Sequence, residues 1–343
     1  MKDFNFWQWV YVPFFTVWIS YLALSGLLRG KQQSPFYQST PFLVTVRFIH
    51  FLTWWVLVYD FSFHVSLVLL LYLPWLLDLS EFSGSRISDT MRRSWIGKWM
   101  KSFFPCKVVK TAELNSQCII GIHHHGVLPW GSVINVGTEA SGFESIFPAL
   151  KHRVIIAASY CFWVPFFRDL LLAGGVVDCN KWSVEKWLSK GYTVAVFPGG
   201  AREGLYANPD EDFLDLRRKR GFLKLGMKYG IPVVPAFSFN EVDHHQQLHY
   251  LTSLKYPLLA AFRTLFHDVT GIIVPILYNI IPRGVSTVVT VFGEAVHLPH
   301  THGEEPSEES VDKAMEVYIK AVESLYYKHA GTYNSQPRKL IIT

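Results

Sequence analysis

The stretch QCIIGIHHHGVLPW, residues 117–130, places a short apolar run directly before three histidines and a glycine. A continuous apolar run of this length is typical of a strand buried on both faces of a sheet. Four further runs of the same kind follow it: VIIAASY (154–160), YTVAVF (192–197), IPVVPAFSF (231–239) and STVVTVF (286–292). The sequence therefore predicts at least five strands, most of them parallel.

Helical segments alternate with these strands. Ser183 is the predicted N-cap of a helix over 184–190, and a second helix is predicted over 217–229, before Gly230. A last helix is predicted over about 307–329. Its apolar positions have helical spacing: Val311, Met315, Tyr318, Val322 and Leu325. This alternation predicts an α/β fold in which helices flank a largely parallel sheet.

The composition excludes several classes of protein. Of the 343 residues, 50% are hydrophobic and 17% are charged, against about 25% charged in soluble domains. The chain is therefore too apolar to be intrinsically disordered. Its four cysteines form no C-x-x-C pair, which argues against a disulfide scaffold and for reduced thiols. The net charge of +5 suits an anionic membrane surface or an anionic cosubstrate, and is too small for a nucleic-acid-binding surface.

Two apolar stretches near the N-terminus predict membrane segments. Residues 4–28 carry no charge and, as a helix, are longer than the ~30 Å hydrocarbon core of a bilayer. We expect them to form a transmembrane helix. Residues 41–77 are interrupted by Asp60, and a charge in mid-membrane is expensive. We therefore expect a hairpin with Asp60 at its tip, which either crosses the bilayer or enters one leaflet.

The basic residues that follow each membrane segment orient the chain, because cytosolic flanks are enriched in Lys and Arg. The expected division is an N-terminal transmembrane helix and linker (1–40), a membrane hairpin (41–80) and a cytosolic domain held against the membrane (81–343). Within that domain, residues 257–281 have apolar side chains on one helical face. This pattern fits either an interfacial amphipathic helix or a buried core helix.

The histidine cluster His123–His125 could supply a general base, because it follows a predicted strand and imidazole titrates near neutrality. Three adjacent histidines also fit a metal site or simple surface polarity. The cluster alone leaves these alternatives open.

Two further blocks have the residue types of a ligand site. In FPGGAREGL (197–205), paired glycines allow close approach of a ligand, Arg202 can bind phosphate or carboxylate, and Glu203 can orient a histidine. The alternative is an ordinary glycine-rich turn. In RRKRGFLK (217–224), cations at a predicted helix N-terminus favour an anion such as the phosphates of coenzyme A. A solvated or headgroup-binding surface is the alternative there.

Taken in order, these blocks resemble the type-2 diacylglycerol acyltransferase family. GIHHHG resembles its H-P-H-G block, FPGGAREGL its G-G-x-x-E block, and RRKRGFLKLGMKYGIPVVPAFSFNE its R-K-G-F block with the following V-P and F-G-E. VVTVFGEAVHLP resembles its late T-V-V-G-E-P-I strand. The resemblance covers about residues 41–343.

This resemblance implies a glycerolipid-acyltransferase-like fold and acyl transfer from acyl-CoA to a lipid hydroxyl, most often that of diacylglycerol, which gives triacylglycerol. It implies acyl-CoA as cosubstrate, no cofactor, no metal and no nucleic acid. It also implies a location at the endoplasmic reticulum membrane with the catalytic domain in the cytosol, and at lipid droplets. Self-association of the chain is left open.

The resemblance also assigns residues. His125 matches the expected base and His123 the other motif histidine, and Glu203 is the candidate that orients the base. The implied substrate-binding residues are Gly126, Gly199, Gly200, Arg202, Arg220, Gly221, Phe222 and Glu241. The chain departs from the family pattern at His124, which replaces proline, and at Asn240, which replaces glycine.

Three alternatives remain open from the sequence. The acceptor could instead be a monoacylglycerol, a sterol or a long-chain alcohol. A more remote alternative is a membrane di-iron desaturase or hydroxylase, for which six histidines would be relevant: His123, His124, His125, His244, His245 and His249. A non-enzymatic hairpin protein that shapes or tethers lipid would explain the membrane segments but not the polar blocks.

Overall fold

A computed structural model describes residues 45, 48–49, 51–52, 63–123, 126–245, 257–270 and 286–343. The predicted transmembrane helix over 4–28 and the predicted hairpin tip at Asp60 lie outside these residues. So do His124, His125 and residues 246–256 and 271–285. The division of the chain into two membrane parts and a cytosolic domain therefore stays a prediction.

The strands are Cys106–Lys110 (β1), Ile119–His123 (β2), Arg153–Ala157 (β3), Val176–Asp178 (β4), Thr193–Val196 (β5), Glu211–Leu214 (β6), Val233–Phe239 (β7), Val288–Phe292 (β8) and Lys339–Ile342 (β9). Seven of them form one sheet in the order β1-β8-β7-β2-β5-β3-β4. Only the β7–β8 pair is antiparallel within this sheet. The predicted α/β fold with a largely parallel sheet is confirmed.

All five predicted strands exist, with shifted ends. The run predicted over 154–160 ends at Ala157, because residues 159–163 turn into a short 3-10 helix. The structure adds β1 and β4 at the two edges of the sheet, and β6 pairs with β9 in a separate parallel ribbon. This ribbon joins the C-terminal segment to the region between β5 and β7.

The helices are Phe63–Leu76 (α1), Ser80–Ser83 (α2), Asp89–Arg92 (α3), Trp95–Phe103 (α4), Trp130–Gly137 (α5), Phe143–Ile146 (α6), Phe167–Ala173 (α7), Lys181–Ser189 (α8), Ala201–Tyr206 (α9), Gly221–Tyr229 (α10), Glu241–His244 (α11), Pro257–Thr270 (α12) and Glu308–Tyr333 (α13). The long C-terminal helix, predicted over about 307–329, is confirmed. Its N-cap is Ser307, whose hydroxyl accepts a hydrogen bond from the Ser310 amide.

Two predicted helix starts are wrong. The helix placed at 184 begins at Lys181, and Ser183 is a buried residue inside it. The Asp178 carboxylate accepts the Asn180 amide at 2.8 Å and turns the chain into the helix before Ser183 is reached. The helix placed at 217 begins at Gly221, because the Arg217 amide donates instead to the carbonyl of Thr343 at the end of the chain.

Helices cover both faces of the sheet, and side chains of each strand alternate between two apolar clusters. Ile119 joins a cluster with side chains of α8, α10 and α13, whereas Ile120 joins a cluster with side chains of α5, α6 and α7. Helix α13 packs on β7, and α5 packs on β1, β3 and β8. This double cover explains why the strands read as continuous apolar runs.

The described part of the chain contains no helix that is both long and apolar enough to cross a membrane. Helix α1 coincides with the predicted second arm of the hairpin and has 14 residues. Helix α12 lies within the predicted amphipathic segment. It buries Arg263 and Phe266 and exposes an apolar face on its other side, formed by Leu258, Phe262, Leu265 and Val269.

Candidate active site

The three motif blocks meet at one edge of the sheet. Strand β2 lies between β5 and β7 and is parallel to both. The histidine loop follows β2, the glycine turn over 197–200 follows β5, and Glu241 comes two residues after β7. The carboxyl ends of neighbouring parallel strands lie side by side, and this is where ligands bind in open α/β sheets.

His123, the last residue of β2, is fully buried and points toward the C-terminal helix. Its Nε2 atom lies 3.0 Å from the hydroxyl oxygen of Tyr318 on α13. Gly121, two residues earlier, faces the same way, and a Cβ there would overlap the Tyr318 hydroxyl. Glycine in the middle of this buried strand therefore makes room for the tyrosine.

Gly126, at the other end of the histidine loop, has a φ of +60°, a conformation that side chains other than glycine rarely adopt. A Cβ at this position would also lie 3.2 Å from the backbone carbon and oxygen of Glu241. Both constraints require glycine here. His124 and His125 lie between these two ends, outside the described residues.

Glu241 is a buried carboxylate that holds the N-terminus of α5. Its Oε1 accepts the Gly131 amide at 2.8 Å, and its Oε2 accepts the Ser132 amide at 3.0 Å and the Ser132 hydroxyl at 2.6 Å. Burial raises the pKa of Glu241 to about 7, although these hydrogen bonds act in the opposite direction. Predicted as a substrate-binding residue, Glu241 has its carboxylate directed at α5 in this structure.

The glycine turn brings Glu203 close enough to the buried Tyr318 to act on it electrostatically. Gly200 has a φ of +57° and is the N-cap of α9, and Glu203 lies in the first turn of that helix with 1% exposure. A Cβ on Gly199 would overlap the Glu203 carboxylate, so the carboxylate lies directly against that glycine. Burial and the charge of Glu203 together raise the pKa of Tyr318 well above its usual 10. Of the predicted residues, His123 contacts Tyr318, Glu203 acts on Tyr318 through its charge, and Gly199 lies against Glu203.

The predicted anion-binding residues occupy different positions. Phe222 is buried and packs edge-on against Tyr318, with ring centroids 5.1 Å apart. Arg220, the N-cap of α10, lies at the surface and pairs with Asp312 of α13 at 2.6 Å; Gly221 beside it is exposed. Arg202 is mostly buried, and its Nη1 lies 3.5 Å from Asp215.

Of the histidines that would be relevant to a metal centre, those that the structure describes make other contacts. Nε2 of His244 lies 3.0 Å from the Ser286 carbonyl oxygen, and His244 and His245 both pack against Phe104. Burial lowers the pKa of His244. Among the residues with described positions, no three His, Cys, Asp or Glu side chains form a cluster that could hold a metal ion.

Sequence reasoning missed Tyr318 and Ser132. Tyr318 was read as one of five apolar positions on the last helix, but a buried tyrosine needs a partner for its hydroxyl. That requirement was the available signal, although it does not name His123 as the partner. Ser132 carried no signal, because nothing in the sequence relates it to Glu241, 109 residues later.

The chain is similar to known proteins over most of its length. A family model described as diacylglycerol acyltransferase matches residues 56–343. The chain belongs to this family. It is 31% identical over 285 residues to zebrafish (Danio rerio) diacylglycerol O-acyltransferase 2, covering 79% of this chain and 78% of the relative.

Two human relatives have different names within the same family. The chain is 30% identical to 2-acylglycerol O-acyltransferase 3 of Homo sapiens, with 78% of this chain and 80% of the relative covered. It is 31% identical to acyl-CoA wax alcohol acyltransferase 1 of Homo sapiens, with 73% and 80% covered. Relatives named for three different acceptors therefore have nearly the same sequence identity to this member of the diacylglycerol acyltransferase family.

Proposed function

We propose that this protein transfers a fatty acyl group from acyl-CoA to the hydroxyl of a lipid, with diacylglycerol as the acceptor and triacylglycerol as the product. The observation that carries the proposal is the convergence of the histidine loop, the glycine turn and Glu241 at the carboxyl ends of β2, β5 and β7. Membership of the diacylglycerol acyltransferase family supports the same chemistry.

His125 is the proposed general base. It takes the proton of the acceptor hydroxyl while the oxygen attacks the thioester carbonyl, a contribution of about 10²–10⁴-fold in rate. His123 is fully buried against Tyr318 and belongs to the support of the loop. Glu203 lies beside this support, where its charge favours an imidazolium formed nearby.

The tetrahedral oxyanion of this reaction needs hydrogen-bond donors that are already in place. The backbone amides of the glycine turn, at Gly199 and Gly200, and of Gly126 are the proposed donors. The coenzyme A thiolate leaves readily, so the chemistry needs no cofactor and no covalent enzyme intermediate. We propose that Arg202 and the N-terminus of α10, with Arg220, bind the phosphates of coenzyme A.

We also propose that the domain lies against the cytosolic face of the endoplasmic reticulum membrane, with access to lipid droplets. Helix α4 supports this proposal, because one of its faces exposes Trp95 (70%), Trp99 (55%) and Phe103 (45%) beside the cation of Lys98. Aromatic residues next to cations are typical of a helix that lies in a membrane interface. The exposed apolar face of α12 has the same character.

The function is tested with purified full-length protein, labelled oleoyl-CoA and a panel of acceptors that contains diacylglycerol, monoacylglycerol, a sterol and a long-chain alcohol. We expect the highest kcat/KM with diacylglycerol. His125→Ala should remove transfer without changing expression or membrane association. His152→Ala, at an exposed histidine before β3, is the matched control and should retain activity.

Each contrary result would change a different part of the proposal. Full turnover by His125→Ala would remove that residue from the mechanism. A preference for another acceptor would keep the acyl transfer and correct the substrate. No transfer to any acceptor, together with stoichiometric iron in the purified protein, would favour the desaturase alternative.

A further inference from the structure

Tyr318 has a buried hydroxyl whose nearest partners belong to a single strand. The residue has 0% exposure on α13, and its hydroxyl oxygen lies 3.0 Å from Nε2 of His123 and 3.4 Å from the carbonyl oxygen of Gly121. A buried hydroxyl stabilises the fold when its hydrogen bond is made, and it destabilises the fold when that bond is lost. The C-terminal helix is therefore fastened by a polar contact to the strand that leads into the histidine loop.

The space around this hydroxyl is closed from several sides. Only glycine fits at position 121, since any Cβ there would overlap the hydroxyl oxygen. Phe222 packs against the tyrosine ring with centroids 5.1 Å apart. The absence of a side chain at position 121 and the packing of Phe222 together place the hydroxyl against His123.

The hydrogen bond with Tyr318 restrains the orientation of the His123 imidazole. Burial and the Glu203 charge raise the pKa of Tyr318, so the phenol keeps its proton throughout the physiological range. The proton has two acceptors within reach, and Nε2 of His123 is the nearer. Nε2 either accepts this proton or donates its own to the hydroxyl oxygen while the hydroxyl donates to the Gly121 carbonyl. In both arrangements the contact restrains the orientation of the His123 ring.

We propose that Tyr318 is a positioning residue: its hydroxyl holds the His123 ring, and thereby sets the start of the loop that carries His125 relative to Glu203. This inference rests on the proposed acyl transfer and adds to it a residue outside the motif blocks. It predicts that the hydroxyl acts on the chemical step more than on the binding of acyl-CoA.

The test compares Tyr318→Phe with Tyr326→Phe in the full-length protein. Tyr326 is the matched control, because it is also buried on α13 and its hydroxyl also makes a hydrogen bond, to the Arg338 carbonyl oxygen at 3.0 Å. We expect Tyr318→Phe to lower kcat about tenfold, with KM for acyl-CoA changed less than twofold. Tyr326→Phe should leave kcat within twofold of wild type, and both variants should unfold at similar temperatures.

A second pair of variants tests the same contact from the strand. Gly121→Ala alone should lower kcat strongly, because the added methyl displaces the Tyr318 hydroxyl. Added to Tyr318→Phe, the same change should lower kcat by much less, because the oxygen it would strike is gone. Independent effects of the two substitutions, multiplying in the double variant, would overturn the proposal.

The two failures are distinguishable. If wild-type protein transfers no acyl group, the proposed function is refuted and this inference falls with it. If wild-type protein is active and Tyr318→Phe matches Tyr326→Phe in kcat and KM, the inference alone is overturned.

Discussion

Glu241→Gln should remove a specific pH dependence from the stability of the protein. The Glu241 carboxylate has 1% exposure, and burial raises its pKa to about 7 from the 4.5 of a solvated glutamate. The folded protein therefore holds a proton here at pH values where the unfolded chain has released it. Stability from this group is fully present below about pH 4.5 and is lost as the pH rises through 7.

The magnitude follows from the two pKa values. Between about pH 5 and pH 8, the wild-type protein should lose about 2.5 kcal/mol of unfolding free energy through Glu241 alone. For a chain of 343 residues that is roughly 3–4 °C in the unfolding midpoint. The glutamine variant does not titrate, and it loses one acceptor for the amides of Gly131 and Ser132, so it should be destabilised by a constant amount.

The assay is thermal unfolding of wild type and Glu241→Gln in the same detergent at about pH 5 and pH 8. We expect the midpoint difference, wild type minus variant, to be about 3–4 °C smaller at the higher pH. Glu113→Gln is the control, because Glu113 is exposed, and its difference from wild type should be the same at both pH values. A Glu241→Gln difference that stays constant or grows with pH would refute the reasoning.

Two further predictions concern a buried ion pair and the membrane-facing helix. Arg168→Met should destabilise the fold by about 3–5 kcal/mol, measured by chemical unfolding, because it removes the buried guanidinium that pairs with Glu81 at 2.8 Å and with Asp78 at 2.7 Å. A loss below about 1 kcal/mol would show that these pairs are not needed. Trp99→Cys carrying an environment-sensitive dye, in a Cys179→Ser background, should shift to the blue on vesicles of phosphatidylcholine and phosphatidylserine. The same dye at Tyr327→Cys on α13 should not shift, although Tyr327 is more exposed than Trp99, and equal shifts would contradict the membrane role of α4.

The central strands could be predicted because burial on both faces leaves a local signature. β2, β5 and β7 are continuous apolar runs that end in glycine or polar residues. Strand β1 lies at the edge of the sheet and has lysine at two of its five positions, so its sequence did not stand out. The antiparallel pairing of β8 with β7 depends on which strand β8 lies beside, and a short, mostly apolar run does not encode that choice.

The candidate site also has features that the sequence predicts and features that it does not. The motif blocks follow β2, β5 and β7, and a parallel sheet brings the ends of such strands together whatever the connections are. Their meeting was therefore predictable. The partners of His123 and Glu241 were not, because Tyr318 and Ser132 are brought to them by helix packing over separations of 195 and 109 residues.

The two unpredicted contacts hold the residues on either side of the proposed base. His123 is held by the tyrosine of α13 on one face of the sheet, while Gly126 lies against Glu241, which is held by α5 on the other face. A ring with 0% exposure, such as that of His123, cannot reach a lipid hydroxyl without moving. The reacting imidazole should therefore come from between the two fixed ends, where the chain has His124 and His125. Precise placement of a catalytic group lowers the reaction barrier, and in this fold the contacts at the two ends involve helices α13 and α5, which lie on opposite faces of the sheet.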